Sequence, residues 1–429
     1  MRASSLLICL LALTQPSYAQ EDGGEDWGDD DWLDAEASDL QLSGFVEAAL
    51  GSRWGSVPQV GSKQTLGDAR VRVESEWSGE RLTVRFKGDG WYDSYLEEFN
   101  GELRDLTLAF SPTSNWDLKL GRQVLTWGTG DLVFLNDLFP KDWISFFAGR
   151  EDEYLKAPSN AIRATWYSNV VNIDLAWTPV FESDEYLTGE RFSFFSPLAG
   201  QRIAPDPPLR GIEPDKDIDN GEIAVRLFKT FGSTEMAMYA YRGFFHQPTA
   251  FTNTFQPTFT PMAAIGVSVR HPFGSGLFNT EAVYYASRDD RGGNDPHVPN
   301  DQVRLLLGYE REAITNFTVA FQYYLEWTQD YDTLIENSLA PQFEPSEYRH
   351  VLTNRLNYRL NQDRLTFSLF TFYSLSDNDY YFRPSLSYRY SDQWTFTGGA
   401  SIFGGRDAHT FFNQFADNSN VYARIRYNY

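Results

Sequence analysis

Apolar and polar residues alternate along most of the chain, from Gln41 to the final residue, Tyr429. A period of two places apolar side chains on one face of an extended strand and polar side chains on the other. The sequence therefore predicts a series of half-buried strands. These strands are 41–51, 65–77, 80–90, 102–111, 114–125, 160–168, 170–178, 220–231, 233–242, 261–272, 275–287, 301–311, 315–327, 346–360, 363–374, 379–391, 393–403 and 418–429.

The connections between these strands alternate between tight and long. After the even-numbered strands they are tight, and most contain the Gly, Pro, Asn, Asp or Ser that turns favour, as in Ser78-Gly79 and Gly232. After most odd-numbered strands they are long: 52–64, 126–159, 179–219, 243–260, 288–300, 328–345 and 404–417. This rhythm predicts an all-β, antiparallel, up-and-down transmembrane barrel over 41–429, with short periplasmic turns and long extracellular loops. We expect about eighteen strands, with sixteen as the alternative.

The last strand carries the clearest alternation. Val421, Ala423, Ile425, Tyr427 and Tyr429 share one parity, and the residues between them are mostly polar. A chain that ends inside such a strand leaves one strand edge unpaired. Pairing this edge with the first strand would close the barrel.

The bulk composition agrees with strands that cross a membrane. Aromatic residues make up 16% of the chain, yet its mean hydropathy is −0.43. Both values fit if apolar and polar residues alternate. No segment approaches eighteen uninterrupted apolar residues, so the sequence predicts no membrane-spanning helix.

The first forty residues differ from the rest of the chain. Residues 1–19 have the basic start, the short apolar run and the small residues of a secretory signal peptide. Its removal would take away Cys9, the only cysteine, so the exported chain would have no thiol chemistry. Residues 20–40 form a predicted flexible acidic periplasmic leader. Because ten acids lie between Glu21 and Asp39, the net charge of −23 says little about the barrel, and nucleic acid is not an expected partner.

Strand parity assigns many basic residues to the inner wall. A charge at mid-depth on the lipid side costs roughly 2–4 kcal/mol, which makes the opposite assignment unfavourable. The predicted lumen-wall residues are Arg70, Arg72, Arg85, Lys87, Arg163, Arg226, Arg304, Arg355, Arg383, Arg389, Arg424 and Arg426. Rings of cationic side chains favour anions. The alternative is that these arginines pair with neighbouring acids and brace the wall.

The loop 126–159 is too apolar to lie in water, and long loops are usually functional. We expect it to fold into the barrel as a constriction loop; the alternatives are a cap over the barrel or a contact with a neighbouring subunit. The parity of Arg122 aims it at lipid, and a bulge at Gly121 would turn it inward. The candidate constriction residues are Arg122, Trp127, Asp131, Asn136, Asp137, Lys141, Asp142 and Arg150.

A family resemblance appears at the start of this loop. Gly121-Arg-Gln followed by Trp127-Gly resembles the GRQ…WG element of proteobacterial porin-like outer-membrane β-barrels. The segment from Phe411 to Val421, ahead of the aromatic last strand, is also similar to them. The resemblance implies a passive or weakly selective channel in the bacterial outer membrane, and it names no solute.

The predicted function is therefore a channel for small hydrophilic solutes, with a bias toward anions, whose other partner is outer-membrane lipid. The alternative is an outer-membrane component of an export or assembly system, in which the acidic leader docks a periplasmic protein or enters the lumen. An enzyme is disfavoured, because the five histidines are scattered and His350 has no evident serine partner. We expect no cofactor and no metal. Whether the barrel is a monomer or a homotrimer stays open.

Overall fold

A computed structural model describes residues 38–55, 57 and 59–429; the predicted signal peptide 1–19 and leader residues 20–37 lie outside them. Eighteen strands form one antiparallel sheet in which each strand pairs with its neighbours in chain order. The strands are β1 Ser38–Arg53, β2 Gln64–Ser78, β3 Leu82–Asp93, β4 Glu98–Thr113, β5 Trp116–Val124, β6 Pro158–Trp166, β7 Asn172–Thr178, β8 Glu222–Phe231, β9 Thr234–Phe244, β10 Pro261–Phe273, β11 Gly276–Ser287, β12 Gln302–Ile314, β13 Phe317–Thr328, β14 Tyr348–Leu360, β15 Leu365–Ser374, β16 Asp379–Arg389, β17 Trp394–Gly405 and β18 Asn420–Asn428.

The sheet closes on itself because β1 pairs with β18, in a register that runs from Phe45 opposite Asn428 to Arg53 opposite Asn420. The predicted closed antiparallel barrel is therefore confirmed, with eighteen strands and not sixteen. β1 begins at Ser38, so residues 38–40 of the predicted leader belong to the first strand.

The two faces of the wall have opposite character. The exterior is an apolar belt in which side chains such as Val71, Ile265 and Phe321 are 44%, 58% and 58% exposed. On the inner face Arg70 and Tyr381 are 2% and 0% exposed. A belt of this kind suits lipid hydrocarbon, while the inner face carries the polar groups.

Connections at one end of the barrel are short, and they include 79–81, 114–115, 232–233, 274–275 and 315–316. At the other end most are long, although 94–97 and 375–378 are short as well. We call the first the periplasmic end and the second the outer end, as in outer-membrane barrels. The long connections hold two helices, α1 Trp143–Ala148 and α2 Tyr331–Asn337, and two small hairpins, Phe194–Ser196 with Gln201–Ile203 and Ala250–Phe251 with Pro257–Thr258. They also hold the four short 3-10 turns of the described residues: Asp152–Leu155, Ile218–Asn220, Pro341–Phe343 and Asn413–Asn418.

The last residue completes the seam between β1 and β18. Gly44 and Tyr429 exchange backbone hydrogen bonds of 3.2 and 3.0 Å, and the Tyr429 hydroxyl donates to the carbonyl oxygen of Arg72 at 2.9 Å. The Tyr429 ring lies directly over Gly44, where a β-carbon would overlap with the Arg72 carbonyl. Glycine at this position therefore lets the terminal aromatic ring cover the seam.

We predict that Gly44→Ala lowers the free energy of unfolding by about 1–3 kcal/mol, because the added methyl group meets backbone that cannot yield. The matched control is Gly90→Ala on β3, where a β-carbon would meet nothing within 4 Å. Urea unfolding of the barrel in lipid vesicles, followed by tryptophan fluorescence, measures both. Equal stabilities for the two variants would contradict this account of the seam.

Candidate functional site

Residues 125–157, which we call the inner loop, connect β5 to β6 and lie inside the barrel. Their aromatic side chains pack on two separate parts of the wall. Trp127 lies 6.1 Å from Tyr239 of β9, and Phe147 lies 5.6 Å from Tyr381 of β16 and 5.2 Å from Phe403 of β17 (ring centroids). The loop therefore packs against the inner face of the wall at two places on different sides of the barrel.

The middle of the inner loop holds helix α1, whose ends are fixed by local sequence. Asp142 accepts a hydrogen bond from the Ser145 backbone amide at 2.8 Å and caps the first turn. Gly149 ends the helix in the left-handed conformation, at φ 88°. A β-carbon there would also overlap with the Tyr422 ring on β18, so glycine permits both the turn and the close approach to the wall.

A carboxylate of the wall holds the first half of the inner loop. Glu281 of β11 is 2% exposed. Its Oε1 accepts hydrogen bonds from the backbone amides of Thr129 and Gly130 and from the Thr129 hydroxyl, and its Oε2 accepts from the Asn136 backbone and side-chain amides. Hydrogen bonds to a charged group are worth roughly 1.5–3 kcal/mol each. Glu281 is therefore the anchor around which residues 129–136 fold.

Acids of the inner loop bind arginines on β14, β16 and β18. Asp131 pairs with Arg355 at 2.5 Å, and Asp152 pairs with Arg383 at 2.6 Å. Glu151 pairs with Arg426 at 2.5 Å. Because these groups are shielded from solvent in part, loss of one partner would leave a poorly compensated charge inside the barrel.

The loop also enters a buried charge network with β2 and β3, which lie two and three strands from β18 across the seam. Arg72 is 1% exposed and holds Asp89 through two hydrogen bonds, of 2.6 and 2.9 Å. The Tyr154 hydroxyl of the loop donates to Asp89 at 2.7 Å, and Glu153 binds Arg72. Arg150 binds Asp68 of β2 at 2.7 Å. The loop is thus held by ion pairs on both sides of the β1–β18 seam, and by the hydrogen bonds of Glu281 on β11 across the lumen.

The predicted constriction residues divide into two groups. Trp127, Asn136, Asp137 and Lys141 are buried and serve the loop itself; the Lys141 ammonium, for example, binds Asp137 at 3.1 Å. Asp131 and Arg150 reach the wall, and Asp142 caps α1. The strand register runs through Gly121 without a shift, so the expected bulge is not there. Arg122 keeps its outward register and binds Glu182 at 2.8 Å and the Leu103 carbonyl.

The predicted lumen-wall cations all take the inner-facing register, and most of them have acidic partners. Arg85 binds Glu76 and Lys87 lies 3.5 Å from Glu74. On other strands, Arg163 binds Asp174, Arg226 binds Glu235, and Arg304 lies 3.4 Å from Glu326. Wall bracing, the alternative from the sequence, therefore applies to much of this set.

Sequence reasoning missed two important wall residues. Arg104 donates to the carbonyl oxygens of Glu153 and Lys156. It was missed because the pairing of β3 with β4 shifts register between Lys87 and Gly88, which changes the parity of β4. Glu281 carried a usable signal, because it is a lone acid at an inward position beside apolar Val283 and Tyr285.

A half-open cleft of about 360 Å³ lies between β2–β4, the inner loop and residues 179–221, which we call the long outer loop. The two loops are joined by backbone hydrogen bonds of 2.9 Å, from Trp143 to Glu185 and from Glu185 to Lys141. Asp184 accepts from the Lys141 backbone amide and the Trp143 indole, both at 2.8 Å. The charged residues that line the cleft are Arg70, Asp93, Glu102, Arg122, Asp142, Arg150, Glu185, Glu190 and Arg191.

The carboxyl groups at this junction are unusually basic. The pKa of Glu185 is raised to about 7, because the cleft desolvates the carboxyl group and the charges of Asp142 and Glu102 oppose its ionisation. Burial also raises the pKa values of Asp142 and Asp184. Since Glu185 faces the open cleft, solvent screens part of the repulsion.

Within the described part of the chain, no helix is long and apolar enough to cross a membrane. The same residues contain no group of three or more His, Cys, Asp or Glu arranged to hold a metal ion.

We predict that Glu281→Ala releases residues 129–136, so that the amides of Thr129, Gly130 and Asn136 exchange with deuterium at least about tenfold faster, which corresponds to the loss of about 1.4 kcal/mol. The control is Glu235→Ala, because Glu235 pairs with Arg226 on the wall. Unchanged exchange in Glu281→Ala would show that the loop does not depend on this anchor.

We also predict that the long outer loop docks more firmly at low pH. Docking raises the pKa of Glu185 above its ordinary value of 4.5, so the docked state gains from the proton and weakens as pH rises through about 7. A spin label at Leu198→Cys, a position 59% exposed on this loop, should be more mobile at about pH 8 than at about pH 5.5. Glu185→Gln should remove most of the difference; a full pH response in that variant would exclude Glu185 as its source.

The sequence matches no family model, and no curated protein matches it. Solved structures match nearly the whole chain. OccAB1 of Acinetobacter baumannii aligns with a TM-score of 0.54 at 11% identity, covering 93% of this chain and 98% of that one. OccAB3 of the same organism gives 0.54 at 10% identity, with 91% and 99% covered. OccK2 (OpdF) of Pseudomonas aeruginosa, solved in complex with glucuronate, gives 0.52 at 11% identity, with 91% and 97% covered. The chain thus shares the closed-barrel fold of these proteins, and its apolar exterior suits a lipid bilayer.

Proposed function

We propose that this barrel is a diffusion channel for small hydrophilic solutes and that the inner loop forms its narrowest part. The observation that carries the proposal is the position of the inner loop, which binds the inner face of the wall on different sides of the barrel through Glu281, Arg355, Arg383 and Arg72. A barrel of eighteen strands is wide enough to hold an aqueous passage. A loop fixed inside it narrows that passage to one lined by charged and hydrogen-bonding groups.

We further propose a bias toward anions, which rests on the inner face of β14–β18. These strands carry arginines at 349, 355, 359, 383, 389, 424 and 426, and their one acid is Asp379, at the outer end of β16. We call the four nearest the periplasmic end, Arg359, Arg389, Arg424 and Arg426, the arginine face. Cations lining a narrow aqueous path lower the energy of an anion there. Carboxylates are one class of anion that such a path would accept. OccK2, whose fold is similar, was solved in complex with glucuronate, a sugar carboxylate.

The groups that line the passage can bind and select solutes, and they form no evident catalytic site. The inward-facing acids near the inner loop mainly form ion pairs with arginines, as Asp89 does with Arg72 and Asp152 with Arg383. A carboxylate held this way orients a loop and sets a local field. We therefore propose no enzymatic step. Assembly as a homotrimer stays a prediction.

Planar lipid bilayers test this function directly. Purified protein should give discrete ion-conducting steps, and reversal potentials in a KCl gradient should show that chloride is more permeant than potassium. Replacing Arg359, Arg389 and Arg424 together by Gln should lower the chloride-to-potassium permeability ratio by about twofold or more, because the positive potential along that wall falls.

The control is Arg242→Gln, on the outward face of β9, which should leave the ratio unchanged. Protein that is folded by heat-modifiability on gels and yet shows no conducting steps would overturn the channel. An unaltered ratio in the triple variant would overturn the anion bias alone.

A further inference from the structure

The outer part of β4 has a neighbouring strand on one side only. Its pairing with β5 ends at Leu106, whereas its pairing with β3 continues to Glu98. Over residues 98–105, the edge of β4 that faces away from β3 therefore has no strand partner among the described residues. An edge of this kind presents backbone N–H and C=O groups that can pair with another extended chain.

The backbone groups of Phe99, Gly101 and Leu103 point to this free edge. The Leu103 carbonyl oxygen does so because it accepts from Nε of Arg122, on β5, at 2.8 Å. The register of β4 with β3 is regular from Leu103 to Glu98, so the backbone groups of every second residue point the same way. In the described part of the chain, no hydrogen bond reaches the backbone of Phe99 or Gly101 from this side.

The half-open cleft of about 360 Å³ reaches this edge. Its lining includes Gly101 of β4 together with Leu187 and Thr188 of the long outer loop. Gly101 has no side chain, so the cleft meets its backbone directly. A β-carbon at Gly101 would have only the Asp89 carbonyl oxygen within 4 Å, at 3.6 Å, and one at Gly90, opposite it on β3, would have nothing. The edge is therefore accessible to a ligand in the cleft.

The arginines of the cleft already have acidic partners. The pairs are Arg70 with Asp89, Arg122 with Glu182, Arg150 with Asp68 and Arg191 with Asp93. A ligand anion would have to compete with these acids. The unpaired backbone groups of β4 are the alternative, and they bind the amide groups of an extended chain rather than a free charge.

We propose that the cleft binds a short peptide, which adds to the free edge of β4 as an extended strand. The ligand residue opposite Gly101 donates its N–H to the Gly101 carbonyl and accepts from the Gly101 N–H. From Phe99 to Leu103 the edge is about 13 Å long, at about 3.3 Å per residue, which suits a chain of three or four residues. The side chain of that ligand residue lies beside Gly101 and Gly90, where there is room for it. Binding requires no transport, whereas passage of the peptide rests on the proposed channel.

Saturation-transfer NMR on the barrel in lipid nanodiscs tests the binding, with trialanine as the probe. Trialanine should receive saturation from the protein. Trialanine methylated at its central nitrogen should receive at least about fivefold less, because the methyl group removes the donor to Gly101.

A variant of the protein tests the other half of the same pair. Gly101→Pro removes the N–H that faces the cleft and keeps the hydrogen bonds to β3, so it should weaken binding of trialanine by about fivefold. Gly101→Ala is the matched variant, because it keeps the N–H and its methyl group meets only the ordinary contact at 3.6 Å. It should retain the binding that Gly101→Pro loses. Heat-modifiability on gels shows that each variant is folded.

Three results would overturn the proposal. The first is equal saturation of the methylated and unmethylated peptides, which decides the question even if Gly101→Pro does not fold. The second is unchanged binding of trialanine to folded Gly101→Pro. The third is a dimer of the unsubstituted barrel that is lost in Gly101→Pro, because it would assign the edge to a second copy of the chain.

Single-channel recording separates this inference from the proposed channel. If the barrel conducts, trialanine on the outer side should reduce the ion current, and the methylated peptide should need about fivefold higher concentration for the same effect. Protein that binds trialanine as expected and never conducts would refute the channel and leave the peptide site intact. Protein that conducts and does not distinguish the two peptides would refute the site and leave the channel intact.

Discussion

The structure depends on one constraint: within a lipid bilayer, a strand must have both edges hydrogen-bonded by protein. Here the constraint is met by the pairing of β1 with β18, so each of the eighteen strands has two neighbours. Closure also fixes which side chains face lipid, because a shift of one residue would exchange the two faces of a strand. Tyr429 over Gly44 covers the place where this pairing ends.

Closure also places many arginines inside the barrel, where their charges need acidic partners. The inner loop supplies several of these partners. Its acids lie on Arg355, Arg383 and Arg426, and its Tyr154 and Glu153 complete the network around Arg72. The wall also binds the loop, mainly through the hydrogen bonds that Glu281 accepts from it. Loop and wall are therefore mutually dependent: each supplies the charges or donors that the other would otherwise bury alone.

The sequence alone predicted the regions in which apolar and polar residues alternate with a period of two. It did not predict the contacts of regions that lack this period. Period-two alternation correctly predicted the closed antiparallel barrel, and it put Arg70 and Arg72 on the inner face, where both are almost fully buried. Parity failed where the backbone departs from regular pairing, so Arg104 was missed beyond the register shift near Gly88. Within the inner loop no period exists. Its apolar content indicated burial, but which polar groups reach the wall was set by tertiary contacts: Asp152 does so, and Asp137 binds Lys141 instead.

The central claim is that the inner loop lies inside the closed barrel against the far wall, and a disulfide tests it most directly. Asn279 of β11 donates to the Thr129 carbonyl at 2.6 Å. With the only natural cysteine in the predicted signal peptide, Thr129→Cys and Asn279→Cys give an exported chain with one thiol pair. The account predicts that this pair oxidises readily within one chain in intact outer membranes. Two thiols that stay free, or that react at once with a bulky reagent added outside the cell, would place the loop elsewhere and contradict it.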